Sequence, residues 1–259
     1  LRMNRAMTWD VWSLSPGDTL ENTLAPLWKL PGRCIIQYIK NGGFMEITWY
    51  GLSCFRMNER GMAAVVTDPY DPEVVGLDPG KFRAEVVTMS CDKPEHNFKK
   101  AIRGTAFEIA GPGEYEVGGV FITGVLINGS KKKKTDELRN TIYVIDYNGL
   151  TVAHLGELNS VPSQTEVEGL GEVHIALVPI GGKTSLNAAK AAEVISLLEP
   201  SIVIPMHYGM SGINFELDPL SKFLKEMGLT EVETEDSIKI SSTSTLPEET
   251  RVMVLDLSI

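Results

Sequence analysis

Three short segments carry most of the side chains able to hold a metal or move a proton. They are SCDKPEH (90–96), HLGELNS (154–160) and PMHYG (205–209), and each directly follows an apolar run, AEVVTM, LTVA and SIVI respectively. Singly, each is weak evidence. His154 reads as a packed histidine, His174 as a structural residue within a strand, and His207 as a residue that could serve a neighbouring backbone group. Together they put Glu95, His96, Glu157 and His207 at loop positions able to converge. Two imidazoles and two carboxylates make a competent site for zinc, iron or manganese. The glycine-rich stretches do not support nucleotide binding. GPGEYEVGG (111–119) lacks the Gly-Lys-Ser/Thr ending of a phosphate-cradling loop, and GGKTS (181–185) has Leu177 where the first glycine belongs. Both read as turns at sheet edges.

The elements that must position these loops are mostly strands. Short apolar or alternating runs recur from Met45 onward: MEITWY, MAAVVTD, AEVVTM, GVFITGV, TIYVID, LTVAHL, VHIALVPI, SIVIPM and RVMVLDL. Their length and β-branched content mark strands. One helix is expected from about Leu186 to Leu198, stopped by Glu199-Pro200. A second is expected in LDPLSKFLKEMGL, with Asp218 as cap, Pro219 in the first turn and Gly228 at the end. Several strands are apolar on nearly every residue, so their sheets must be covered on both faces. Two packed sheets with helices outside, a four-layer αββα sandwich, meet that demand. Strand ends along one rim of such a sandwich are where sites gather.

Bulk properties bound the function. The 259 residues are 43% hydrophobic and 22% charged, with mean hydropathy near zero, which fits a soluble globular domain rather than a membrane or disordered chain. The formal net charge of −10 disfavours capture of nucleic acid, and with it a nuclease, because displacing counterions from phosphates requires a basic face. Three cysteines, Cys34, Cys54 and Cys91, make no disulfide framework. No apolar stretch reaches signal-peptide or membrane-spanning length, so a cytoplasmic location without membrane partner is expected. Asn128-Gly129-Ser130 is accordingly read as a turn.

Residues 1–44 differ from the rest, with Trp9, Trp12 and Trp28 among prolines and no sustained period. They are expected to be an N-terminal extension, an optional or mistranslated leader with a partner-binding arm as the alternative, ahead of a domain at 45–259. The run KKKKTDELRN (131–140) reads as a solvated loop, the alternative being a clamp for substrate phosphate.

From Met45 to Ile259 the sequence resembles the metallo-β-lactamase superfamily, specifically its short lactonase-like branch related to L-ascorbate-6-phosphate lactonase and to zinc-dependent hydrolases. The resemblance rests on ITWYGLSCF (47–55), VVTDPYDP (65–72), VVTMSCDKPEHN (86–97), GPGEYEVGGVFITGV (111–125), NTIYVIDYNGLTVAHLGELN (140–159) and VPIGG through EPSIVIPMHYG (178–209). The metal motif departs from the family. Its pattern His-x-His-x-Asp-His matches Cys91, Lys93, Glu95 and His96 here, and its glycine-histidine near the first strand is Gly51-Leu52. VLINGSKKKK (125–134) holds no histidine where the next ligand is usual, and the central motif has become His154-Leu155-Gly156-Glu157-Leu158-Asn159-Ser160. Pro205-Met206-His207-Tyr208 is intact. The resemblance therefore implies that the first metal position is lost and that the second retains Glu95, His96, Glu157 and His207.

Lys93 governs what remains. A protonated amine donates no lone pair, and two-metal sites hold their cations about 3.5–4 Å apart, so Lys93 places a single charge about where a metal belongs. Repulsion between it and a divalent ion at about 4 Å would be about 8 kcal/mol at an effective dielectric near 20, and two carboxylates between them could offset it. Two readings follow. In one, the ammonium stands in for the first metal, and a single ion acts on an ester, lactone or phosphodiester of a small, anionic substrate. Lys93 then stabilises the developing oxyanion, and Asp92 or Tyr208 serves as donor or acid–base group. Cys91 either joins as a thiolate ligand or stays an inert buried thiol. In the other, Lys93 pairs with Glu95 or Glu157, no metal binds, and the pocket of a catalytically silent relative takes a small anion or a protein partner. Neither reading excludes a homo-oligomer.

Overall fold

A computed structural model describes residues 43–128, 139–230, 232 and 234–258. The expected extension at 1–44 lies outside the described residues apart from Gly43 and Phe44, as does the lysine-rich run apart from Arg139 and Asn140 and the expected turn apart from Asn128. In chain order the strands are β1 (Met45–Trp49), β2 (Phe55–Asn58), β3 (Val65–Thr67), β4 (Val86–Thr88), β5 (Phe107–Ile109), β6 (Gly113–Val117), β7 (Val120–Asn128), β8 (Arg139–Tyr147), β9 (Leu150–His154), β10 (Ile175–Pro179), β11 (Ile202–Met206), β12 (Thr234–Glu235), β13 (Ile238–Ile240), β14 (Arg251–Val252) and β15 (Val254–Leu255). The α-helices are α1 (Pro72–Val75), α2 (Gln164–Glu168), α3 (Ala188–Leu198) and α4 (Leu220–Glu226).

Two mixed sheets form, one ordered β13-β1-β2-β3-β4-β5 and the other β14-β11-β10-β9-β8-β7-β6. The α/β sandwich expected from the strand pattern is present. β10 and β11 are buried at every residue and pair in parallel with neighbours on both edges, which is why they read as unbroken apolar runs. β1 alternates buried and half-buried positions because only one of its faces meets the core. Ile47, Trp49, Phe55 and Met57 of the first sheet pack with Ile142, Tyr143, Ile145 and Val152 of the second in one cluster. A second cluster, with Leu52, Val66, Tyr70 and Phe82, joins α1 through Val75. Ala191, Val194 and Ile195 are the buried stripe of α3.

Polar side chains stitch the sheets together. The Tyr143 hydroxyl donates to Met89 O at 3.0 Å, the Tyr147 hydroxyl to Ala63 O at 2.8 Å, and His154 Nε2 to Ser53 O at 2.8 Å. His154 is thus a packed histidine.

Local departures have local causes. α3 begins two residues later than expected because the Asn187 side chain accepts from Lys190 N, and Glu199 ends it at φ 46°. Asp218 does not cap α4: Pro219 occupies that position without a side-chain bond, and the Asp218 carboxylate takes Lys222 Nζ at 2.6 Å instead. GPGEYEVGG is more than a turn, since β6 runs through it and reverses into β7 over Gly118 (φ 55°) and Gly119 (φ 81°), the two positive φ values a tight primed hairpin needs. RVMVLDL splits between β14 in the large sheet and β15 paired with β12. Among the described residues no helix is long and apolar enough to cross a membrane.

Gly156, which precedes Glu157, sits at φ +60°, and a Cβ there would lie 2.4 Å from Ser90 Cβ and Asn140 Oδ1. Gly156→Ala is expected to lower the stability by about 3 kcal/mol, from left-handed strain plus overpacking. Gly171→Ala, at φ +69° with nothing within 4 Å, should lose only about 1 kcal/mol. Urea unfolding midpoints of the two variants provide the comparison.

Candidate metal centre

The site forms where three strand ends meet from opposite sheets. β4 leads into the loop of Cys91, Lys93 and His96, β9 into Glu157, and β11 into His207. β3 leads directly into Asp68, a residue absent from the expected ligand set. Asp68 is fully buried and accepts three hydrogen bonds, from Ser90 N at 2.7 Å, Ser90 Oγ at 2.5 Å and His96 Nδ1 at 2.8 Å. Burial opposes its charge, but His154, His96 and Ser90 hold its carboxyl below the ordinary range. His96 is likewise fully buried. Desolvation pulls its pKa down, yet Asp68 foremost, then Glu157 and Glu95, raise it above the usual imidazole value.

Anchoring Nδ1 leaves His96 Nε2 facing the cluster, and among the described residues that buried nitrogen has no hydrogen-bond partner. It lies 4.0 Å from Glu157 Oε2, and Cys91 Sγ lies 3.9 Å from the same oxygen. One donor atom from each of Cys91, His96 and Glu157 falls within 4.8 Å of the others. Glu157 is only 6% exposed; its backbone N–H is held by Asn140 Oδ1 at 2.8 Å, while Asn140 Nδ2 donates to Leu155 O at 2.9 Å. Burial disfavours the Glu157 carboxylate, but His96, Lys93 and Thr184 bring its pKa below the ordinary range.

The remaining expected residues fall around this trio. Lys93 Nζ forms a hydrogen-bonded ion pair with Glu157 Oε2. Burial lowers the Lys93 pKa and the bond to Glu157 more than restores it, leaving it above the usual lysine value. His207 stands beside the trio, its ring stacked on His96 with centroids 5.6 Å apart and planes at 14°. Its Nδ1 is buried without a partner, and burial with the neighbouring His96 charge pushes its pKa down to about 4, so it is neutral at pH 7. Close contact sets its position: His207, at φ 54°, donates its N–H to Leu52 O, and its carbonyl would lie 2.1 Å from a Cβ on Gly181. Glu95 is half-buried and lies outside the trio, acting on Lys93 and His96 through its charge. Asp92 is exposed and accepts from Asn97 Nδ2 at 2.6 Å. Tyr208 packs its ring 5.2 Å from that of Trp49, with burial and the Asp256 carboxylate raising its hydroxyl pKa. Burial, Asp68 and Glu157 likewise push the Cys91 thiol up.

A cavity of about 630 Å³ opens beside the trio, lined among others by Cys91, Asp92, Lys93, Ala110, Leu126 and Thr141, a volume suited to a small ligand. The donors fit one divalent cation. An unpartnered buried imidazole nitrogen, a carboxylate and a thiol converge, and the imidazole is oriented by a carboxylate behind it as metal-binding histidines usually are. With the Lys93 ammonium on Glu157, the set does not fit two.

Asp68, Ser90 and Asn140 escaped the sequence reading because each acts on the trio through hydrogen bonds formed only in the fold. For Asp68 a signal existed: VVTD ends an apolar strand with a carboxylate, the same strand-end pattern that drew attention to Glu157 and His207. Asn140 carried none, since its role depends on the approach of a loop fifteen residues later.

Known proteins are similar in sequence and fold to most of the described chain. The family model for the beta-lactamase superfamily domain matches residues 46–207. A UPF0173 protein of Pyrococcus furiosus is 29% identical over 219 residues, covering 71% of this chain and 90% of its own. A UPF0173 metal-dependent hydrolase of Methanosphaerula palustris is 26% identical, with 63% and 84% covered. A solved metallo-beta-lactamase superfamily structure from Thermotoga maritima superposes with a TM-score of 0.66 at 33% identity, covering 82% of this chain and 98% of its own. With its family model spanning more than half the sequence, and a relative at that identity sharing nearly its whole length, the chain belongs to the metallo-beta-lactamase superfamily.

Proposed function

We propose that the protein is a metal-dependent hydrolase with one cation, held by His96 Nε2, Glu157 and Cys91 with His207 alongside, acting on an ester, lactone or phosphodiester of a small anionic molecule. The observation that carries this reading is the fully buried His96, braced at Nδ1 by Asp68 and left without a partner at Nε2, since an orphaned buried nitrogen is costly unless something completes it. The Methanosphaerula relative, named a metal-dependent hydrolase, supports the same class. When bound, the cation lowers the pKa of water and polarises the substrate oxygen. Zinc is the favoured identity, because imidazole, carboxylate and thiol donors together suit it better than manganese.

The chain's own residues supply the rest. Lys93, with its side chain about one-third exposed, lines the cavity and stabilises the substrate oxygen that becomes negative. Asp92 also lines the cavity and faces solvent, so we assign proton transfer to it rather than to Tyr208, which packs on Trp49. Ala110 and Leu126 give the pocket an apolar wall. A cytoplasmic setting is part of the reading, supported by two cysteines, Cys54 and Cys91, that are free thiols among the described residues.

Elemental analysis of protein purified without chelator should find close to one equivalent of metal, lost in His96→Ala, and hydrolysis of a panel of chromogenic esters, lactones and phosphodiesters should follow the metal. No metal above background and no uptake on titration would instead support a silent relative closed by its Lys93–Glu157 pair. Asp68→Asn is expected to weaken metal affinity about 10–100-fold, measured by competition with a chelating indicator.

In the metal-free protein, His207 should make stability fall with acid. Its folded pKa, about 4, is below the unfolded value of about 6.5. Above that unfolded value both states are neutral and nothing changes; as pH falls through it the unfolded chain takes up a proton that the folded chain refuses, until about pH 4. The loss attributable to His207 reaches about 3 kcal/mol, and His207→Asn should flatten the urea midpoint over that interval.

A further inference from the structure

The three groups facing the proposed cation site share one atom. Glu157 Oε2 lies 4.0 Å from His96 Nε2, 3.9 Å from Cys91 Sγ, and is the oxygen bonded by Lys93 Nζ. We infer that Lys93 is an internal competitor for the metal: its ammonium occupies the carboxylate oxygen that a bound cation must take, so uptake requires the Lys93–Glu157 pair to open.

This rests on the single-cation reading above and adds a controlling residue to it. An ammonium and a divalent ion sharing one carboxylate oxygen would repel each other at close range, so only one holds it at a time. The carboxylate is fixed. Glu157 is buried at 6% exposure, and its backbone N–H is tethered to Asn140. The ammonium is not. Lys93 has about a third of its side chain exposed, and the cavity that it lines gives the flexible stem somewhere to go. Among the described lining residues Lys93 is the only cation, so the displaced ammonium enters the pocket as its positive charge. Metal uptake and the presentation of a cation to an anionic substrate thereby become one event.

Titration with cobalt(II) tests this in the full-length protein, with binding read from thiolate-to-cobalt charge-transfer absorption and from competition with a chelating indicator. Lys93→Met should tighten the cobalt Kd at least tenfold, while Lys93→Arg, which keeps the cation, should leave it within about threefold of the parent. In a Glu157→Gln background the Lys93→Met gain should vanish, because the competition runs through that carboxylate. Equal or weaker cobalt binding by Lys93→Met than by the parent overturns the competition and leaves the single-cation reading standing. Absence of cobalt binding in the parent and in Lys93→Met, both folded by circular dichroism, overturns both.

Discussion

A buried carboxylate sets the terms for everything around it. Asp68 has no access to water, and a charge in that position is tolerable only when its lone pairs are fully engaged. Ser90 supplies two donors and His96 a third. Those bonds tie both ends of the loop from Ser90 to His96 to the end of β3, so the path between them, which carries Cys91 and Lys93, has little freedom. They also settle the His96 ring: with Nδ1 committed to Asp68, only Nε2 can face the cluster. The orphaned nitrogen, the thiol and the lysine owe their places to a residue that would itself never touch a substrate.

The charges resolve into two pairs and a neutral ring. Asp68 takes the Nδ1 of His96, Glu157 pairs with Lys93, and burial first, then the neighbouring His96, holds the His207 pKa down at about 4. Of the two carboxylates Lys93 was expected to choose between, Glu157 holds it and Glu95 acts only through space. A buried ion pair is no guarantee of stability, since desolvation cancels much of the attraction. Its value here is positional, keeping the carboxylate ionised and in place.

Sequence pattern revealed the architecture well and the site in part. Long apolar runs such as IALVP and IVIPM became central strands because burial on both faces leaves no other composition available. β2, β5 and β13, of three or four residues each, have too few positions to display a period and no longer apolar run around them, and Phe107 in β5 is half exposed. At the site, the strand-end rule located His96, Glu157 and His207, whose side chains are ligands by type. It could not rank Glu95 against Cys91, because which of two neighbouring loop residues turns inward depends on the backbone path that Asp68 dictates. Tyr208, one residue beyond His207, illustrates the same limit: adjacent in sequence, it packs against Trp49.

Cys91, Lys93 and His96 hang from the first sheet, Glu157 and His207 from the second, and backbone bonds from Thr141 N to Ser90 O and from His207 N to Leu52 O span the seam beside them. Neither sheet alone possesses the constellation. A partly assembled chain with only one layer in order would carry only part of the set. The constellation is therefore born at the moment the two sheets dock.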